Sequence, residues 1–263
     1  MAKFCPLFSS SKGNCTYIGS GESGILIDVG RSAKQINEAL FNIGVDPDSL
    51  DAIFITHEHS DHINGLRVFA AKHNIKVYAT EGTLTALEEK QVLNDKIKYD
   101  TVSFTGTQAG SLLVTPFRTS HDARESCGYL VDTPDGRRIT VCTDLGYVSD
   151  EVANSVCGSD LILLESNHDI RMLENGPYTY ELKQRIKGKR GHLSNESCSE
   201  LAVKLIESGT TRLVLGHLSQ ENNFPELAYQ TTFSALSTAG AEADSDYILK
   251  VAKPAWEGKA IML

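Results

Sequence analysis

The chain has 263 residues, of which 41% are hydrophobic, and its formal net charge is −9 at pH 7. This length is sufficient for one large globular domain, and no low-complexity or Pro/Gly/Ser-rich linker divides it, so we interpret residues 1–263 as a single domain. The negative charge argues against a protein that coats nucleic acid nonspecifically, although it is compatible with a local basic patch.

The chain also has no features of secretion or membrane insertion. It starts without an apolar signal segment and contains no run of about 18 apolar residues, which predicts a soluble, cytoplasmic protein that does not bind membranes. Six cysteines occur without a C-x-x-C pair, and in a chain this long they indicate reduced thiols rather than a disulfide framework. They are Cys5, Cys15, Cys127, Cys142, Cys157 and Cys198.

The first part of the chain alternates short apolar runs with turn residues. Strands are predicted at 3–4, 15–18 and 25–30, and Ser32 is a candidate cap for a helix that runs through Phe41. This order of strands and helix indicates a layered α/β domain.

The loop between the first two predicted strands offers hydroxyl groups, a lysine and a glycine-freed backbone. Ser11, Lys12 and Asn14 are therefore candidates for holding a phosphate oxygen. Ser, Gly and Asn are also ordinary turn formers, so a plain connecting turn explains this segment about as well.

The sequence Thr-His-Glu-His-Ser-Asp-His directly follows the apolar run 52–55, which is short, β-branched and typical of a buried strand. A turn after this strand would let His57 and His59 approach one metal ion while Asp61 and His62 face a second. Nitrogen and oxygen ligands of this kind suit zinc, manganese or iron. A polar surface loop is the alternative interpretation, but three histidines so close together would repel one another when charged.

Further strands and helices are predicted after this motif. His73 is expected to be a surface residue of its helix rather than a ligand. The predicted helices are 64–73, 83–89 and one that begins at 193–194, and the predicted strands are 76–79, 111–115, 127–133, 138–143, 160–165 and 211–216, with a hairpin at Pro134-Asp135-Gly136.

Polar residues that can bind metals or act as acids follow several of these strands. His121, Asp144, His168 and His217 each come at or shortly after a predicted strand end. Each of them alone would more often be structural. Five strand ends with His or Asp, however, fit the rule that sites in α/β proteins gather outside the carboxyl ends of strands.

Residues 183–192, Lys-Gln-Arg-Ile-Lys-Gly-Lys-Arg-Gly-His, are the most basic stretch of this acidic chain. Lys187, Lys189 and Arg190 are candidates for contacting substrate phosphates. A solvated, mobile loop is an equally weighted interpretation, because charge runs are usually just solvated.

The motif His-x-His-x-Asp-His, followed in order by His121, Asp144 and His217, resembles the metallo-β-lactamase fold superfamily over essentially the whole chain. The resemblance implies an α/β fold, the αββα sandwich, in which two mixed β-sheets are flanked by helices and two divalent metal ions lie at the sandwich edge. By position, one ion would be bound by His57, His59 and His121, the other by Asp61, His62 and His217, and Asp144 would bridge them.

Four further segments look like the YycJ/WalJ branch of that superfamily, which contains bacterial cytoplasmic phosphodiesterases similar to ribonuclease Z and PhnP. The segments are 8–16, 120–129, 165–169 and 216–223. A DNA exonuclease activity is attributed to this branch, so the resemblance implies a nucleic acid substrate, DNA above all. No obligate protein partner can be inferred from the sequence. The chain has no long inserted arm like that of ribonuclease Z, which puts transfer-RNA processing in doubt.

The resemblance also suggests catalytic roles. Relatives use a histidine before a Leu-Ser pair to assist catalysis, and His192 matches it, which implies a general acid. His168 is the second candidate for the acid, and Asp61 is a candidate for both metal binding and catalysis. His168 and Asp122 are further expected to orient ligands.

The implied mechanism is phosphodiester hydrolysis with two cations. Ions about 3.5–4 Å apart lower the pKa of a bridging water, and the resulting hydroxide makes an in-line attack on the phosphorus. A small-molecule phosphodiesterase, including one for cyclic substrates, or another hydrolase of this fold would share every metal ligand and remains an alternative. A non-catalytic, metal-stabilised partner protein would need a degraded ligand set, whereas all seven ligand positions are filled.

Overall fold

The structure is a computed structural model that describes all 263 residues. Its apolar runs form two seven-stranded sheets. The strands are β1 Ala2–Phe8, β2 Cys15–Ser20, β3 Ser23–Ile27, β4 Ala52–Phe54, β5 Lys76–Ala79, β6 Tyr99–Thr101, β7 Thr107–Ala109, β8 Leu112–Arg118, β9 Cys127–Asp132, β10 Arg138–Cys142, β11 Leu161–Glu165, β12 Arg212–Gly216, β13 Ile248–Val251 and β14 Ile261–Met262.

Nine α-helices connect and cover these strands. They are α1 Ala33–Asn42, α2 Ser60–Ile63, α3 Leu66–His73, α4 Glu81–Glu89, α5 Asp150–Val156, α6 Ile170–Asn175, α7 Tyr180–Lys187, α8 Asn195–Glu207 and α9 Pro225–Thr238, and a 3-10 turn covers Pro47–Ser49. None of these helices is both long enough and apolar enough to cross a membrane.

The two sheets are mixed, and each places several strand ends at the same edge. The first has the order β14-β1-β2-β3-β4-β5-β6 and the second β13-β12-β11-β10-β9-β8-β7. β3, β4 and β5 are parallel, as are β10, β11, β12 and β13. Because β9 is antiparallel to both β8 and β10, β8 runs in the same direction as β10. The carboxyl ends of β8, β10, β11 and β12 therefore lie at one edge.

Strand periodicity explains the four layers. Successive side chains of a strand point to opposite faces, so Ile25 and Ile27 enter the core between the two sheets, whereas Leu26 faces the helices of the first sheet. Leu163 likewise lies in the core between the sheets, and Leu164 packs against the helices of the second sheet. This is the predicted αββα sandwich, which is confirmed, and both sheets contribute to the core between them.

The predicted helix starts also have identifiable caps. The Ser32 hydroxyl accepts a hydrogen bond from the Gln35 amide at the start of α1, and Ser194 caps α8 through the Ser197 amide. Phe41, at the end of α1, fits the helical spacing of apolar residues that predicts this helix, yet 62% of its surface is exposed.

The basic stretch is not wholly a loop, although a solvated, mobile loop was one of its two interpretations. Its first half belongs to α7, which Thr179 caps and which has no buried residue. The helix is mostly polar, and its apolar residues Leu182 and Ile186, which are one turn apart, line a cleft rather than a buried core.

Candidate metal centre

All seven predicted metal ligands meet at one edge of the sandwich. Four ligands follow β4, and the others follow β8, β10 and β12. Five of these seven residues are at most 3% exposed, whereas the side chains of Asp61 and His59 are 21% and 27% exposed. They are His57, His59, Asp61, His62, His121, Asp144 and His217.

Backbone hydrogen bonds hold the loops of the first sheet together at this edge. The Asn14 amide donates to the Asp61 carbonyl at 2.8 Å, and the Gly30 amide donates to the Asn14 carbonyl at 2.7 Å. A Cβ on Gly30 would lie 1.7 Å from the Asp61 carbonyl oxygen, so only glycine permits this approach. The loop that carries Asp61 is therefore fixed against the strand ends.

The ligand atoms form two groups of three. Within each group all atoms lie within 4.8 Å of one another. His59 Nδ1 is 3.3 Å from His121 Nε2 in the first group, and Asp61 Oδ2 is 3.5 Å from His217 Nε2 in the second. The first group is His57, His59 and His121, and the second is Asp61, His62 and His217.

Asp144 lies between the two groups. Its Oδ1 is 3.7 Å from His121 Nε2 and its Oδ2 is 3.3 Å from His62 Nε2. The residue is buried and has a positive φ of 59°, which is costly outside glycine and is typical of functional sites. This placement is what a carboxylate that contacts two cations needs.

The chemistry of the cluster fits divalent cations. His57 Nε2 and Asp144 Oδ2 are buried without a hydrogen-bond partner, and each such atom costs about 1–3 kcal/mol unless something satisfies it. Burial would lower the pKa of His217, but Asp144, Asp61 and Glu165 raise it to about 10. The site therefore concentrates negative charge that attracts positive charge, and the nitrogen and oxygen donors suit a divalent metal.

Asp28 orients His62. The His62 Nδ1–H donates to Asp28 Oδ2 at 2.8 Å, and the same carboxylate accepts from the Thr56 amide at 2.9 Å. This leaves His62 Nε2 directed at the ligand cluster. Asp28 was not among the predicted site residues, because the predicted strand 25–30 included it. In the structure β3 ends at Ile27, so Asp28 directly follows a strand, as the ligands do.

Glu165 performs the same task for two imidazoles. Its fully buried carboxylate accepts from His192 Nδ1 at 2.9 Å and from His217 Nδ1 at 2.8 Å. Its other oxygen accepts from the Leu145 and Leu193 amides, both at 3.0 Å. Burial would raise the pKa of Glu165, but charge and hydrogen bonds from His192 and His217 hold it well below its usual value.

His192, the predicted general acid, lies beside the ligand cluster. Its side chain is 20% exposed, and its ring centre is 4.9 Å from that of His121 and 5.3 Å from that of His217. It lines a cleft of about 150 Å³ together with Asn167, Tyr178 and other residues. The remaining lining residues are Ser11, Asp122, Leu182, Arg185, Ile186, Gly191 and Ser219.

The second candidate for the acid, His168, is less suitably placed. Its side chain is buried, it does not line the cleft, and burial lowers its pKa to about 4. Asp122, by contrast, reaches the cluster, because its Oδ1 lies 3.3 Å from His121 Nε2 while its other oxygen accepts from Arg185 Nε.

The predicted phosphate contacts of the first loop separate into two kinds. Ser11 lines the cleft, and Lys12 is exposed. The Asn14 side-chain amide is instead buried within the ligand cluster, 3.3 Å from Asp61 Oδ2 and 3.1 Å from His62 Nε2. We therefore reassign Asn14 from phosphate contact to the orientation of these two ligands.

Two of the three predicted phosphate contacts of the basic stretch already have partners. The Lys187 ammonium pairs with Glu174 at 2.6 Å, and Arg190 Nε donates to the His121 carbonyl at 3.1 Å. The Lys189 carbonyl accepts from the Ser120 hydroxyl. Of the cations in this stretch, Arg185 is the one that lines the cleft.

The chain is similar to known proteins in both sequence and fold. Residues 24–218 match the family described as beta-lactamase superfamily domain. The chain is 39% identical over 248 residues to the exodeoxyribonuclease WalJ of Streptococcus pneumoniae serotype 2 strain D39, covering 93% of this chain and 92% of that protein. It is 37% identical over 240 residues to the exodeoxyribonuclease YycJ of Bacillus anthracis, covering 90% of each. The metallo-β-lactamase fold protein YhfI from Bacillus subtilis shares the fold, with a TM-score of 0.70 at 18% identity over 98% of this chain and 99% of that one.

Proposed function

Because the chain belongs to the β-lactamase superfamily, we propose that it is a metal-dependent exodeoxyribonuclease that hydrolyses phosphodiester bonds at DNA ends. The observation that carries the proposal is the placement of Asp144 between two complete ligand groups, in a chain that matches exodeoxyribonucleases over nearly its whole length. A cytoplasmic location, in line with the scattered cysteines, is part of the proposal.

Two divalent metals per chain are part of the same proposal, with zinc, manganese and iron as the candidates. The first group, with Asp144, would hold one ion, and the second group, with Asp144, the other. When bound, the ions would supply activation of water and charge compensation for the phosphodiester.

His192 would supply the proton for the leaving oxygen. Glu165 accepts the Nδ1 proton of this ring, so in the doubly protonated ring Nε2 is free to donate. A positioned imidazole of this kind contributes typically about 10²–10⁴-fold to the rate. Arg185 lines the same cleft, and the guanidinium donors that Asp122 does not use can bind phosphate oxygens.

The test is a panel of end-labelled single- and double-stranded DNA and RNA, incubated with several divalent metals. We expect stepwise release of nucleotides from DNA ends. A chelator or the substitution Asp144→Ala should abolish this release. Cleavage of RNA but not DNA, or products that begin with internal fragments, would contradict it.

A small-molecule phosphodiesterase is the second candidate function. The small cleft volume of about 150 Å³ favours it, because a compact ligand would fill that space. The same panel separates the two, since a small-molecule enzyme would hydrolyse cyclic nucleotides and leave every polymer intact.

A further inference from the structure

A second depression, which we call the Phe224 groove, lies beside the cleft. Its volume is about 300 Å³, at the small end of ligand pockets. The groove is formed by the segments that follow β1, β12 and β13. Its lining residues are Ser9, Leu218, Ser219, Gln220, Asn223, Phe224, Pro225, Ala252 and Pro254.

The Phe224 groove adjoins the cleft beside the candidate metal centre. Ser219 lines both the groove and the cleft that contains His192. Ser9, on the groove wall, accepts a hydrogen bond from the His217 amide at 2.9 Å, and Leu218 directly follows this candidate ligand. A molecule whose phosphate lies in the cleft would therefore place its neighbouring groups in or near the groove.

The chemistry of the groove differs from that of the cleft. None of its nine lining residues is charged, whereas the cleft is lined by Arg185, Asp122 and His192. Phe224 exposes 46% of its surface, and the walls include Leu218 and two prolines. The groove suits a flat, uncharged and largely apolar group rather than a phosphate.

The groove also has a free polar side chain. Gln220 is exposed, and its amide makes no hydrogen bond within the chain, so it can donate to or accept from the edge of a ligand. Asn223, in contrast, is fully engaged, since its amide donates to the Ser166 and Asn167 carbonyls. The aromatic face and one available amide match the two surfaces of a nucleobase, its π-face and its hydrogen-bonding edge.

We propose that the Phe224 groove binds one unpaired nucleobase of the strand being degraded and that this base stacks on Phe224. This inference rests on the proposed function. The phosphate of that strand then lies in the adjoining cleft beside Arg185. A paired base cannot leave its stack without unpairing, which costs a few kcal/mol. The enzyme therefore prefers single-stranded or frayed DNA ends over fully paired ends.

The experiment uses the metal-loaded enzyme and single-stranded oligonucleotides that carry an abasic site at one of the first three nucleotides from either end. Stacking of one base is worth about 1–3 kcal/mol, so wild-type kcat/KM should fall roughly 5- to 150-fold at one of these positions. Phe224→Ala should lose the same factor on intact DNA and match the wild type on the abasic strand. The equality on the abasic strand shows that the metal centre of the variant is intact.

Two further variants control for folding and for aromaticity. Phe224→Trp keeps a stacking face and should retain the sensitivity to the abasic site. Phe41→Ala removes another exposed aromatic residue that lines neither the cleft nor the groove, and it should behave as the wild type.

Failure of the inference differs from failure of the proposed function. If the wild type degrades intact and abasic strands equally well, or if Phe224→Ala loses the same factor on both, the groove does not bind a base and the exonuclease proposal is unaffected. If the wild type degrades no DNA, both proposals are wrong.

Discussion

Replacing Glu165 by Gln tests whether one buried carboxylate organises both the acid and a metal ligand. The substitution conserves shape but turns one oxygen into an NH₂ group. In the wild type, one oxygen accepts from the rings of His192 and His217, and the other accepts from the amides of Leu145 and Leu193. A glutamine cannot satisfy both pairs, because its NH₂ group cannot accept a hydrogen bond.

The two orientations of the glutamine have different costs. If its NH₂ group faces the Leu145 and Leu193 amides, two buried donors lose their acceptor, at about 1–3 kcal/mol each, or about 2–6 kcal/mol of unfolding free energy in total. If it faces the imidazoles instead, their Nδ1 atoms must accept, which moves the proton of His217 to Nε2, the nitrogen that faces Asp61. A protonated Nε2 cannot bind a metal, so we expect a loss of about 10–100-fold in metal affinity.

Both costs are measurable. Denaturant unfolding of the metal-free protein gives the change in free energy, and equilibrium dialysis gives the metal affinity. The matched control is Glu174→Gln, which removes an exposed carboxylate that pairs with Lys187 and should change stability by at most about 0.5 kcal/mol. A Glu165→Gln variant with wild-type stability and wild-type metal affinity would refute this account of the site.

Three further predictions address the metals, the acid and the phosphate contact. Asp144→Ala should lose the second metal or bind it in a disordered way, and it should abolish turnover, because the bridging carboxylate offsets repulsion between two cations. Full metal content with intact activity would show that Asp144 does not bridge. His192→Ala should keep its metal content and lower kcat on DNA by about 10²–10⁴-fold. The loss should be much smaller for a substrate with a p-nitrophenolate leaving group, which needs little protonation. Equal losses for both substrates would exclude the role of general acid. Arg185→Gln should flatten the slope of log K against log salt for DNA binding by about 0.7–0.9, because Arg185 lines the cleft. Lys187→Gln should leave that slope nearly unchanged, because Lys187 does not line the cleft. Equal slopes for the two variants would contradict the assignment.

The sequence by itself determined the layers and the ligand set. The order of apolar runs and helical segments predicts a layered α/β domain, and an uninterrupted apolar run such as Ile25-Leu26-Ile27 is typical of a strand that is buried on both faces. The His-x-His-x-Asp-His motif and the polar residues at later strand ends then predicted which side chains converge, and the structure brings them together. Short strands such as β6, whose three residues are all exposed, carry no such alternation and were not predicted.

Only the tertiary structure decided how these side chains are oriented and what lies beside them. Glu165 reaches His217 across 52 residues and Asp28 reaches His62 across 34, and no local pattern encodes such pairings. The Phe224 groove likewise requires three segments that are distant in the chain to end at one edge of the sandwich. The physical reason is that periodicity and caps act within a few residues, whereas the hydrogen bonds that direct an imidazole depend on how whole sheets pack and where their strands end.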